Sequence, residues 1–159
     1  MLFSKKEAYL WAVADGEVIP LDQVKDEAFA SGILGEGFAI EPSAGTVYSP
    51  VSGTVESIAD TKHAYTLLTD DGLDVLVHVG IDTVELKGEG FLPMVQQGDH
   101  VKAGDVLLRA NLELIQSQGY PLTIPVVVTN AETLKQFHVI SSPQVIGGKS
   151  KAAKYQIQS

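Results

Sequence analysis

Two of the four histidines in the 159-residue chain, His63 and His78, stand on either side of an Asp70-Asp71-Gly72 turn signal. Imidazole changes charge closest to neutral pH, and it serves as metal ligand, acid–base group or nucleophile. A lone histidine in an apolar strand is usually a satisfied core residue. Two histidines brought together by a hairpin have a stronger claim to function, so register decides the matter. Val75-Leu76-Val77-His78-Val79 is too β-branched and too short for anything but a strand. Ala64 to Thr69 reads as its hairpin partner across the Asp-Gly turn. A two-residue loop at Asp70-Asp71 pairs residues whose numbers sum to 141, as 63 and 78 do. A loop at Asp71-Gly72 raises that sum to 143 and makes the histidines diagonal neighbours on one face. A three-residue loop puts the rings on opposite faces, because side chains alternate along a strand.

The elements around this hairpin are short and apolar, and glycine and proline separate them. Gly16–Pro20, Gly37–Ile40, Thr46–Tyr48, Gly53–Ile58, Val106–Arg109 and Val126–Thr129 each read as strands. Leu21–Phe29 reads as a short helical turn with Asp22 as N-cap and Gly32 past its end; Leu112–Gln116 is the other short helix. No helical period lasts three turns. The expectation is an all-β chain, an antiparallel β-sandwich or barrel-sandwich hybrid with one or two short helical turns. Residues 1–13 read as an N-terminal segment that is flexible, although Leu2, Phe3, Leu10 and Trp11 would make it sticky, and 14–159 as a single domain. The tail from Gly147 is small and polar, with Tyr155-Gln156-Ile157 as a final edge strand.

Composition removes several function classes. The net charge of −9 and pI near 4.7 argue against nucleic acid or an anionic membrane as the main partner. With no cysteine there is neither disulfide nor thiolate chemistry. No apolar run reaches the length of a membrane span, and no signal-peptide core follows Lys5 and Lys6. The expectation is a cytoplasmic protein with no direct membrane insertion. His100, in a Gly98-Asp99-His100 turn, and His138 read as surface residues.

Longer stretches carry resemblances. Tyr48–Val55 and Gly98–Leu107 resemble the turns of biotinyl and lipoyl carrier domains, but neither Met1 nor Met94 flanks a lysine as such a carrier requires. That likeness concerns architecture alone. Val77-His78-Val79-Gly80-Ile81-Asp82-Thr83-Val84-Glu85-Leu86-Lys87-Gly88-Glu89-Gly90-Phe91 resembles the signature of enzyme IIA of the glucose family in the bacterial sugar phosphotransferase system. Gly35–Pro42, Ser49–Gly53, Thr61–Ala64 and Pro125–Asn130 resemble the same family in its order and spacing, so the likeness runs over roughly residues 14–145. Leu76 and Val79 stand where members often carry other apolar or aromatic residues.

The resemblance implies a covalent relay. His78 would accept a phosphoryl group through Nε2 from the phosphocarrier protein HPr and pass it to the IIB domain of a membrane sugar permease. His63 would be the second active-site histidine, Thr61 the hydroxyl that orients it, and Asp82 the acidic residue at the site's edge. On sequence alone Asp82 and Thr83 read more simply as a turn cap. Val77, Val79, Ile81, Val84 and Phe91 are expected to form an apolar docking rim that excludes water from the phosphate, although core packing explains some of them equally well. No cofactor is obligatory. In the family a zinc ion is sometimes held by the two histidines and a partner's carboxylate in regulatory complexes, and a regulatory binding module read by its phosphorylation state is the alternative function. A zinc hydrolase using His63, His78 and Asp82 finds no general base or cleft. With no IIB or IIC segment in view, the expectation is a free-standing IIA that acts as a monomer. The sugar is not written in this sequence, because specificity lies in the permease.

Overall fold

The computed structural model describes residues 8–158. In chain order the strands and helices are β1 (Ala8–Trp11), β2 (Gly16–Pro20), α1 (Glu27–Ala30), β3 (Glu36–Pro42), β4 (Thr46–Tyr48), β5 (Gly53–Ile58), β6 (Ala64–Thr69), β7 (Asp74–His78), β8 (Phe91–Pro93), β9 (His100–Val101), β10 (Val106–Ala110), α2 (Leu112–Ser117), β11 (Ile124–Val128), β12 (Leu134–Val139), β13 (Ser142–Val145) and β14 (Lys151–Ile157). All pairings are antiparallel. They make one eight-stranded sheet in the order β13-β2-β3-β11-β7-β6-β5-β9 and two three-stranded sheets, β1-β14-β12 and β4-β10-β8. None closes into a barrel, and the architecture is the all-β sandwich type expected.

One apolar cluster holds side chains from all three sheets, with Leu10 and Tyr155 from one small sheet, Val47 and Leu108 from the other, and Phe38, Tyr65, Val77 and Val126 from the large one. β7 shows how the large sheet divides its faces. Val75 and Val77 point into this core, whereas Leu76 and His78 point to the other side. A second, smaller cluster of Ile19, Leu21, Val24, Phe29, Ala39, Ile81 and Val127 covers that other side. β11 is therefore buried at all five positions, which is why Ile124–Val128 reads as a continuous apolar run rather than an alternating one.

Three expectations need correction. Asp26, not Asp22, caps α1: its backbone is extended (φ −155°, ψ 120°) and its carboxylate accepts the Ala28 N–H at 2.9 Å, whereas Asp22 lies inside a 3₁₀ turn, Leu21–Gln23. Of the flexible segment expected at 1–13, residues 1–7 lie outside the described residues, and 8–13 are built into the fold. Leu10, Ala12 and Val13 are fully buried, and β1 pairs with β14. β14 in turn is the central strand of its sheet, not an edge, because β12 takes its other side. β1 and β14, near opposite ends of the described residues, hold each other in place.

Candidate active site

His78 ends β7, and its ring stands on the outer face of the large sheet. The β6–β7 hairpin closes through a three-residue turn, Asp70-Asp71-Gly72, with the Thr69 N–H on the Leu73 carbonyl at 2.9 Å and Gly72 at φ +95°. Paired residues such as Ala64 and His78 or Leu68 and Asp74 sum to 142, which is neither of the two registers that favour a histidine pair. Alternation alone would leave the rings on opposite faces. The ring centroids nevertheless lie 4.8 Å apart with planes at 83°. His63 escapes the alternation because it precedes the ladder, in the β5–β6 connection, directly after Lys62 in the left-handed region at φ +62°. Its carbonyl still accepts the Val79 N–H at 2.7 Å, so the backbone fixes it beside β7 while its side chain turns to the His78 side.

Each ring is anchored through Nδ1. The His78 Nδ1 lies 2.7 Å from the Gly80 carbonyl oxygen. A carbonyl only accepts, so Nδ1 carries the proton and Nε2 of the neutral ring is left with its lone pair. The His63 Nδ1 lies 2.8 Å from the Thr61 hydroxyl. When that hydroxyl donates, Nε2 of His63 carries the proton and becomes a hydrogen-bond donor towards the shared space. Gly80 adopts φ +82°, and a Cβ there would fall 2.4 Å from the Thr83 Cγ2, so only glycine delivers the carbonyl without strain. The Gly80 and Ile81 N–H groups donate to the Thr123 and Pro121 carbonyls at 3.0 and 3.1 Å, which ties this turn to the segment before β11.

Burial sets the charge state. It pushes the His63 imidazolium down from an ordinary value of 6.5 to about 4, the charge of His78 adds to that, and the Thr61 backbone opposes it. His78 is likewise lowered by burial, against the Gly80 carbonyl and the Asp26 and Asp82 carboxylates, which favour its charged form. Both rings are therefore neutral at pH 7. Asp82 sits at φ +60° ahead of a 3₁₀ turn, Thr83–Leu86, and its side chain makes no capping bond. The turn-cap reading thus fails for Asp82. Thr83 fills the local structural role, with its hydroxyl donating to the Val79 carbonyl at 2.6 Å.

The expected rim is mostly not a rim. Val77 and Val79 are 0% exposed because residues flanking His78 face the opposite side of the sheet; Ile81 (2%) is buried in the smaller cluster on the His78 side, and Phe91 (7%) in the main core. Only Val84, at 46%, is open to a partner. Phe91 contributes from below, its ring 6.5 Å from that of His63. The aromatic neighbour of His78 is Phe29 of α1, edge-on at 5.2 Å, which the sequence reading missed together with Asp26. Beyond α1, Ile33 (81%) and Leu34 (38%) are exposed. His100 and His138 are exposed residues of β9 and β12, remote in topology from the pair. Among the described residues no group of three or more histidines and carboxylates is placed to hold a metal, and no helix is long and apolar enough to cross a membrane.

Comparisons with known proteins point to one family. The family described as phosphoenolpyruvate-dependent sugar phosphotransferase system, EIIA 1, matches residues 8–134. The glucose-specific EIIA component of Staphylococcus aureus strain Mu50 is 40% identical over 147 residues, which cover 92% of this chain and 89% of that protein. The glucose-specific EIICBA component of Streptococcus pneumoniae is 44% identical over 148 residues, covering 93% of this chain but 20% of that protein. Glucose permease IIA from Mycoplasma capricolum superposes with a TM-score of 0.86 at 36% identity, over 96% of this chain and 99% of that structure.

Proposed function

Because the chain belongs to the phosphoenolpyruvate-dependent sugar phosphotransferase system EIIA 1 family, and so is a phosphotransfer component of that system, we propose that Nε2 of His78 accepts a phosphoryl group from the phosphocarrier protein HPr and hands it to the IIB domain of a sugar permease. The observation that supports this best is the His78 Nδ1 held on the Gly80 carbonyl beside a second ring whose centroid is 4.8 Å away. A permease acceptor is supported by the pneumococcal relative, whose name joins an A component to B and C components in one chain.

The neutral ring attacks phosphorus through its Nε2 lone pair while the donor's N–P bond breaks, so that a PO₃ unit moves from one imidazole to the other. His78 keeps its Nδ1 proton, and its ring becomes positive as the new bond forms. The Gly80 carbonyl and the carboxylates of Asp26 and Asp82 stabilise that charge. His63, its Nδ1 against the Thr61 hydroxyl, donates from Nε2 to a phosphoryl oxygen and holds the group through the return transfer. The exposed Val84, Ile33 and Leu34 give the donor and acceptor an apolar surface to cover during transfer.

These steps call for no metal. The two imidazoles could supply two of the four ligands of a tetrahedral zinc site, with water or a partner protein giving the rest. The relay acts in the cytoplasm, as a monomer between soluble donor and membrane-bound acceptor. Incubation with phosphoenolpyruvate, enzyme I and HPr should add one acid-labile phosphate per chain. His78→Ala should abolish labelling, and His63→Gln should keep the label but lose transfer to IIB. Full labelling of His78→Ala would overturn the proposal.

A further inference from the structure

Three consecutive peptide units connect the two rings, and a buried hydroxyl holds the middle one. The Val79 N–H donates to the His63 carbonyl at 2.7 Å. The Val79 carbonyl accepts the Thr83 hydroxyl at 2.6 Å. The next carbonyl along the chain, that of Gly80, takes the His78 Nδ1 proton. Thr83 is itself 0% exposed, and its methyl group lies against the Gly80 Cα, where a Cβ would come within 2.4 Å. Two further restraints, Gly80 N–H to Thr123 and Ile81 N–H to Pro121, come from the far side of the turn. The left-handed Gly80 is thus gripped by Thr83 on one side and by the pre-β11 segment on the other.

We propose that Thr83 is a positioning residue for phosphoryl transfer: its hydroxyl orients the Val79–Gly80 peptides so that the Gly80 carbonyl stays on the His78 Nδ1 and the His63 backbone stays beside β7. Thr83 touches neither ring nor phosphate. It acts by keeping the His78 proton on Nδ1 and hence the lone pair on Nε2. The hydroxyl supplies the orientation and the methyl group supplies the packing, two contributions that substitutions can separate. The idea rests on the His78 nucleophile proposed above, but its test does not require any phosphate.

Nitrogen-15 NMR of imidazole-labelled protein at pH 7.5 reads the Nδ1–H to Nε2–H ratio of His78 directly. Thr83→Val keeps the shape and removes the hydroxyl, and that ratio should fall about fivefold, the factor that corresponds to one ordinary hydrogen bond. The rate of phosphorylation by phospho-HPr should fall with it. Thr83→Ser keeps the hydroxyl and should retain the wild-type ratio, although its melting temperature drops through lost packing. A folded Thr83→Val with an unchanged ratio overturns the inference. Should Thr83→Val not fold, Thr83→Ser decides alone, because a shifted ratio there means that the methyl group rather than the hydroxyl sets the tautomer. If His78 were not the nucleophile, labelling of His78→Ala would reveal it while the tautomer shift persisted.

Discussion

Replacing His63 by glutamine tests whether burial really keeps this ring neutral, and the linkage between protonation and stability fixes the sign. The folded protein holds the His63 imidazolium down at about 4, against 6.5 when the chain is unfolded. Between those values the unfolded chain binds a proton that the folded chain refuses. The contribution to stability is therefore complete above pH 6.5 and is lost as the pH falls towards 4. At about 1.4 kcal/mol per pH unit, the shift corresponds to at most about 3.5 kcal/mol. The side chain is 7% exposed, and the neighbouring His78 contributes part of the shift, so burial alone accounts for less than that figure. Roughly 2 kcal/mol is the expected loss. Urea unfolding at pH 7 and pH 4 measures it for wild type and for His63→Gln, whose amide can still meet the Thr61 hydroxyl. Ionisable groups remote from the pair are common to both proteins, so the difference between them reads His63 together with its coupling to His78. Wild type should lose about 2 kcal/mol more than the variant over this interval. An equal loss in the two proteins would show that the His63 ring is solvated well enough to charge freely, and the argument from burial would fail.

Gly80→Ala should destabilise by about 2–4 kcal/mol in urea titrations, from the left-handed backbone and the overlap with Thr83, and should abolish phosphate labelling of whatever fraction folds. Tyr65→Phe should leave stability unchanged or raise it by about 1 kcal/mol, because the Tyr65 hydroxyl is buried without a hydrogen-bond partner; a thermal melt reads the result. Ile33→Glu should change stability by less than about 0.5 kcal/mol, since the side chain is 81% exposed, but should raise the KM for phospho-HPr roughly tenfold. The contrast between those last two variants separates core from docking surface.

The parts of this fold that local pattern specifies were legible in the sequence. Gly16–Pro20, Thr46–Tyr48, Gly53–Ile58 and Ala64–Thr69 form strands with the bounds that turn residues and β-branched runs indicate, and α2 begins after Asn111 close to the expected place. Apart from the local choice of Asp22 over Asp26 as a cap, what failed depended on residues far apart in sequence. β1 is a strand because β14 lies beside it, some 140 residues later, and nothing in Ala8–Trp11 announces that partner. β12, with Lys135, Gln136 and His138 exposed on one face, is too polar to stand out from loop sequence.

The site shows the same division, and one of its errors was avoidable. Strand alternation turns Val77 and Val79 away from His78, so its neighbours along the chain are not neighbours around its ring. The meeting of the two histidines depends instead on a single left-handed residue, Lys62, which frees His63 from a register that would otherwise separate the rings. A three-residue turn and one unusual dihedral angle together reach a geometry that counting residues assigned to a two-residue turn. The aromatic wall behind His78 comes from Phe29, on a four-residue helix held by the Asp26 cap, and the same aspartate lies close enough to favour positive charge on the His78 ring. Because the His78 ring stands on the outer face of the large sheet, its environment is built by this short helix and by the Gly80–Leu86 turn rather than by the core. If His78 is the nucleophile proposed, small shifts in either would retune transfer while the sandwich beneath them stays as it is.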